Sequence, residues 1–163
     1  MRLFFAVWPP PQTAAALEQW ARGCEGRVVP AANIHLTLAF LGEAEPGAAL
    51  SAARRVQGRA HELPIQHARY WRHNRIIWAG PQETPAALSE LVKNLGRELR
   101  AETFVLEERP FAAHVTLLRN AAPPKAPAPL PPLEWPVREF ALVSSRGGAY
   151  RDIERFALSS PAG

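Results

Sequence analysis

Cysteine is almost missing from this chain: Cys24 is the single one in 163 residues. That excludes an internal disulfide and any metal site built from several thiolates, and it fits a reducing, cytoplasmic compartment in which Cys24 is inert. Long apolar runs are missing too. The opening "RLFFAVW" is stopped by Pro9 and Pro10, so neither a secretory signal nor a membrane span is expected. Lysine is scarce, with only Lys93 and Lys125, so the formal net charge of +4 is carried by arginine. Arginine grips phosphate bidentately and stacks on bases, which suits a phosphate-bearing partner. A GC-rich genome would write the same excess of arginine, alanine and proline. Hydrophobic residues, at 47%, are plentiful enough to build one core for residues 1–163.

Periodicity divides the chain into short elements. Residues 2–8 read as a buried strand, and "TAAALEQWAR" (13–22) has helical spacing with Thr13 as its N-cap. "NIHLTLAFLG" (33–42) reads as a second strand, and "GAALSAARRVQGRA" (47–60) as an amphipathic helix. "LPIQHARYW" (63–71) and "RIIWAG" (75–80) flank the polar "RHN", a hairpin connection.

From Arg75 the order begins again. "RIIWAGPQETPAALSELVKNLGREL" (75–99) repeats the strand, proline stop and helix of "RLFFAVWPPPQTAAALEQWAR" (2–22), and each copy then reaches a His-x-Thr-Leu strand. The proline-rich "AAPPKAPAPLPP" (121–132) predicts an extended loop, and "EFALVSSR" (139–146) with "YRDIERFALSS" (150–160) predicts two strands joined at Gly147–Gly148. The expected class is α+β: two antiparallel-leaning sheets facing a central cleft, helices outside, related by a pseudo-twofold axis.

The two motifs, "IHLTLAF" (34–40) and "AHVTLL" (113–118), carry the chemistry. Side chains two apart on a strand share a face. His35 and Thr37 therefore face together, with Leu36, Leu38 and Phe40 on the packed face; His114 and Thr116 face together opposite Val115 and Leu117. Across a twofold cleft, two imidazoles supply an acid and a base near neutral pH, and two hydroxyls donate to non-bridging phosphate oxygens. With no carboxylate or further thiol in either motif, the set is poor for zinc or magnesium, so no metal and no cofactor is expected.

"NIHLTLAFLGE" (33–43) and "PFAAHVTLLR" (110–119) resemble the paired signatures of the two-histidine (2H) phosphoesterases. The opening "RLFFAVWPP" and the closing "LVSSRGGAYRDIERFAL" resemble its bacterial and archaeal RNA 2′,3′-cyclic phosphodiesterase branch, historically 2′-5′ RNA ligase. The resemblance implies metal-independent hydrolysis of a terminal 2′,3′-cyclic phosphate to a 2′-phosphate, with reverse 2′-5′ ligation at the same site. It implies His35 as proton donor, His114 as proton acceptor, and Thr37 and Thr116 as phosphate ligands. Its partners would be RNA ends or nucleotides bearing a cyclic phosphate, bound by a monomer. Two departures bear on loop shape: Ala113 stands where the family often has proline, and "RVVPAAN" (27–33) lacks a large residue often found before the first motif.

Candidate substrate-binding residues beyond the motifs are Arg119, directly after the second, and the aromatic Tyr150 and Trp8, which lie near strand ends and suit base stacking. His61, His67 and His73 have no threonine partner and read as ordinary surface or edge residues. Two other activities use the same site, phosphodiester cleavage of 2′-5′ oligonucleotides or of cyclic-phosphate sugar nucleotides. A non-catalytic RNA-end-binding module is a third reading, disfavoured because binding alone is better served by arginine in both histidine positions.

Overall fold

Every residue of "LFFAV" is buried, because the strand it forms is covered on both faces. In the computed structural model, which describes residues 1–160, this is β1 (Arg2–Val7). Leu3, Phe5 and Val7 face the main core, while Phe4 and Ala6 face a smaller cluster with Ala141 and Val143. Pro11 then sits at the first position of α1 (Pro11–Ala21), where its missing N–H costs nothing. Thr13 is not the N-cap. It lies inside the first turn, buried, and its hydroxyl donates to the Glu134 carbonyl; Pro10 occupies the cap position.

The chain continues through β2 (Arg27–Val28), a short 3-10 turn at Ala31–Asn33, β3 (Leu36–Glu43) and α2 (Pro46–Arg55). α2 stops at Arg55, short of the expected residue 60, and Val56 is already extended. The cause lies two residues on: a Cβ on Gly58 would stand 2.9 Å from the Leu158 side chain, and Arg59 bridges Ser159, so this stretch must run alongside the chain's end. β4 (His61–Glu62), β5 (His67–Trp71) and β6 (Ile76–Gly80) follow, the last two forming the expected hairpin. α3 (Ala86–Ala101) buries Leu88, Leu91, Leu95 and Leu99, one helical stripe, against the core. β7 (Val115–Arg119), β8 (Pro136–Val137), β9 (Glu139–Arg146) and β10 (Ala149–Ala157) complete the described elements. Residues 121–132 form neither helix nor strand, as the prolines require.

Two four-stranded antiparallel sheets result, with orders β10-β9-β1-β3 and β2-β7-β6-β5, plus the small β4-β8 pair that periodicity did not reveal. The duplicated unit is visible in them. β1 pairs with β3 across α1, and β6 pairs with β7 across α3. The sheets are not simply the two halves of the chain, since β2 crosses to join β7 and the C-terminal β9 and β10 return to flank β1.

A shared irregularity marks the repeat. In β3, Thr37 pairs with Ala6 and Ala39 with Phe5, so Leu38 is passed over; in β7, Thr116 pairs with Trp78 and Leu118 with Ile77, so Leu117 is passed over. Each His-x-Thr-Leu motif thus ends in a β-bulge at its leucine. A bulge reverses the alternation of faces beyond it. Phe40, expected on the packed face, therefore stands opposite Phe4 on the other one and is 55% exposed, with the Arg2 guanidinium 5.5 Å from its ring centre. The same reversal keeps Leu117 and Leu118 both buried and returns Arg119 to the face of His114 and Thr116.

Candidate active site

Burial alternates through both motifs: Ile34, Leu36 and Leu38 are buried and His35 and Thr37 half-buried; Ala113, Val115 and Leu117 are buried and His114 and Thr116 half-buried. The apolar residues anchor each strand while the polar ones remain reachable. The polar faces meet in one cleft of about 490 Å³ whose walls include His35, Thr37, His114, Thr116, Arg119 and Tyr150.

Backbone carbonyls set both rings. His35 Nδ1–H donates to the Asn33 carbonyl at 2.7 Å, and His114 Nδ1–H donates to the Ala112 carbonyl at 2.9 Å. In each case the acceptor is two residues upstream, and a carbonyl can only accept. The tautomer is thereby fixed, and Nε2 is the nitrogen left for chemistry. His35 Nε2 is 2.9 Å from Thr37 Oγ1, so the hydroxyl donates to the neutral ring and accepts from the protonated one.

Aromatic walls hold the rings laterally. Phe4, Trp8 and Tyr150 surround His35, with ring centres 4.9, 5.5 and 5.4 Å away. Trp71 lies 4.7 Å from His114, and Trp78 supports both. Trp8 backs His35 and donates its indole N–H to Asp152, but it is not among the cleft-lining residues. The His35 pKa is lowered from its ordinary value, first by burial and then by the positive charges of Arg119 and His114, against an opposing contribution from the Asn33 carbonyl. An anion entering the cleft reverses the repulsive part and favours the protonated ring.

Glycines make two of the close approaches on which the second wall depends. Gly26 has φ +145°, and a Cβ there would fall 2.8 Å from Ala121 Cα; β2 lies along the end of β7 only because this position is bare. A Cβ on Gly80 would fall 2.7 Å from the Ala113 carbonyl, which leads into His114.

Several lining residues carried no sequence signal: Asn33, Trp71, Asn74, Gly148 and Arg27. Asn33 acts twice, since its carbonyl orients His35 and its side-chain amide donates to the Gly148 carbonyl at 3.2 Å, tying down the β9–β10 turn that carries Tyr150. A carbonyl is common to all residues, so this role cannot be read from residue type. His61, His67 and His73 lie outside the cleft lining, His67 edge-on to Trp78 with its pKa lowered by burial. A separate depression of about 630 Å³ beside His61 and Arg138 holds no paired motif. Among the described residues, no three His, Cys, Asp or Glu side chains converge as a metal-ligand group. The site can move two protons at a gripped anion, one by each Nε2.

The LigT like Phosphoesterase family matches this chain twice, over residues 7–78 and 79–151, in agreement with the internal repeat. The chain is 36% identical to an Escherichia coli protein named RNA 2′,3′-cyclic phosphodiesterase, over 97% of either chain. It is also 36% identical to a Thermus thermophilus protein of the same name, over all of this chain and 93% of that one. Its fold is similar to that of E. coli LigT complexed with 3′-AMP, with a TM-score of 0.87, 31% identity, and coverage of 96% of this chain and 97% of that one.

Proposed function

The chain belongs to the LigT-like phosphoesterase family, and from that premise we propose that it hydrolyses RNA terminal 2′,3′-cyclic phosphates to 2′-phosphates by paired-histidine acid–base catalysis. The observation that carries the reading is the pair of His-x-Thr motifs on one cleft, each ring held at Nδ1 by a backbone carbonyl, with His35 Nε2 resting against the Thr37 hydroxyl. The full-length relatives named for this activity support the same substrate class.

His114 Nε2 takes a proton from water, whose oxygen attacks phosphorus. The bond from phosphorus to O3′ breaks, and His35 Nε2–H protonates the departing O3′. The product keeps its phosphate on O2′. Thr37 and Thr116 donate to the non-bridging oxygens, and the anionic phosphate raises the proton affinity of His35 so that it serves as the acid. With the 5′-hydroxyl of a second RNA end in place of water, His114 takes its proton, its oxygen attacks phosphorus, and O3′ leaves protonated by His35, which gives a 2′-5′ phosphodiester; cleavage of that bond is the same step reversed, with acid and base exchanged. Neither step uses a metal or cofactor. Arg119 and Tyr150 assist at the cleft wall, while Trp8 holds the His35 ring from behind.

We read the acting unit as one two-lobed domain, a reading supported by the main buried cluster, which runs from Leu3 through Leu95 to Phe140. We read it as a monomer in the cytoplasm, where its lone thiol stays reduced. A nucleoside 2′,3′-cyclic phosphate incubated with the protein in EDTA tests the reading. Turnover to the 2′-phosphate supports it; a 3′-phosphate product, or dependence on added metal, contradicts it.

A further inference from the structure

Arg27 in β2 is paired directly with Arg119 in β7, so two guanidinium side chains leave adjacent strands side by side. Like charges in that position repel, and β2 is only two residues long, so the pairing is costly where it stands. Neither arginine forms an ion pair with a carboxylate among the described residues, although Arg54, Arg55, Arg59 and Arg155 all do. Both line the cleft. The bulge at Leu117 turns Arg119 to this face, and bare Gly26 lets Arg27 approach it. A repelling pair with no counter-charge, held in place by two backbone devices, is complementary to an anion.

The two arginines differ in reach. Arg119 stands on β7, the strand of the second motif, on the face of His114 and Thr116, so it is the arginine nearer the place of reaction. Arg27 stands on the outer side of it, in the strand beyond β7. We propose that Arg27, with Arg119, binds a second phosphate: the one on the 5′ side of the terminal nucleoside. This inference rests on the cyclic-phosphate reading above and sharpens its substrate class. The preferred substrate is an RNA end, or a 5′-phosphorylated nucleotide, carrying the 2′,3′-cyclic phosphate, in preference to a bare nucleoside 2′,3′-cyclic phosphate.

Kinetics on cytidine 2′,3′-cyclic phosphate and on its 5′-phosphorylated form test this, alongside calorimetric binding of adenosine 2′-monophosphate and adenosine 2′,5′-bisphosphate. The wild-type protein should favour the second member of each pair by at least about tenfold. Arg27→Gln should bring both ratios close to one, Arg27→Lys should keep part of the preference, and the salt dependence of the bisphosphate should weaken in Arg27→Gln. Ratios that are the same in wild type and Arg27→Gln, or a wild-type ratio near one, overturn the proposal. An Arg27-dependent preference for the bisphosphate without turnover of either cyclic ester would overturn the assigned reaction and leave the second-phosphate site standing.

Discussion

His35 and Thr37 are joined Nε2 to Oγ1 at 2.9 Å, and the same histidine is held by its other nitrogen, Nδ1, to the Asn33 carbonyl at 2.7 Å. The ring is therefore constrained at both ends before any substrate arrives. A phosphate entering the cleft takes over the hydroxyl and meets an imidazole that is already aimed.

The hydroxyl can be removed with almost no change of shape. Thr37→Val should lower kcat/KM on a nucleoside 2′,3′-cyclic phosphate by about 10- to 100-fold, the worth of a hydrogen bond to a charged group. Thr37→Ser should restore most of it. Steady-state kinetics of the two variants, with urea midpoints to verify folding, check the expectation.

Arg119 lowers the proton affinity of His35, and the sign of its removal follows. In Arg119→Gln the His35 pKa rises, so an acid at this position stays protonated to higher pH. The alkaline limb of the kcat/KM profile, which reports the free enzyme, should move upward in pH even as the overall rate falls. If the acidic limb moves instead, His35 is the base and the two roles are exchanged. The profile reports macroscopic values for the coupled pair, so the direction of movement is the readout.

Asn33→Ala keeps the carbonyl that orients His35 and removes the amide that holds Gly148 at 3.2 Å. KM should rise more than kcat falls, because the turn carrying Tyr150 is loosened while the catalytic ring stays aimed. Protease nicking near Gly147–Gly148 should become faster than in the wild-type protein.

Gly80→Ala places a methyl 2.7 Å from the Ala113 carbonyl, and the obstacle is backbone. About 1–3 kcal/mol of stability should be lost in urea unfolding, with activity falling as the start of β7 shifts.

Much of this arrangement was legible in the residues. The proline stop after β1, the helix after the second proline stop and the repeated His-x-Thr-Leu each follow from local physics and lie where they are expected. What stayed hidden depends on pairing between distant segments. A bulge leaves no mark in a period-two pattern, so Phe40 was expected on the packed face and stands exposed. Thr13 looked like an N-cap because nothing nearby indicates that Glu134 would supply its hydrogen-bond partner. Periodicity gives no element at Arg27, since a two-residue strand is created by its partner β7 and not by its own sequence.

If His35 and His114 work as one unit on a single phosphate, a double-mutant cycle shows it. Turnover of a nucleoside 2′,3′-cyclic phosphate is measured for the wild type, His35→Ala, His114→Ala and the double variant. Each single substitution should abolish most of kcat, and the double variant should be scarcely slower than either. Losses that simply add, or a single variant that keeps near wild-type turnover, would contradict it.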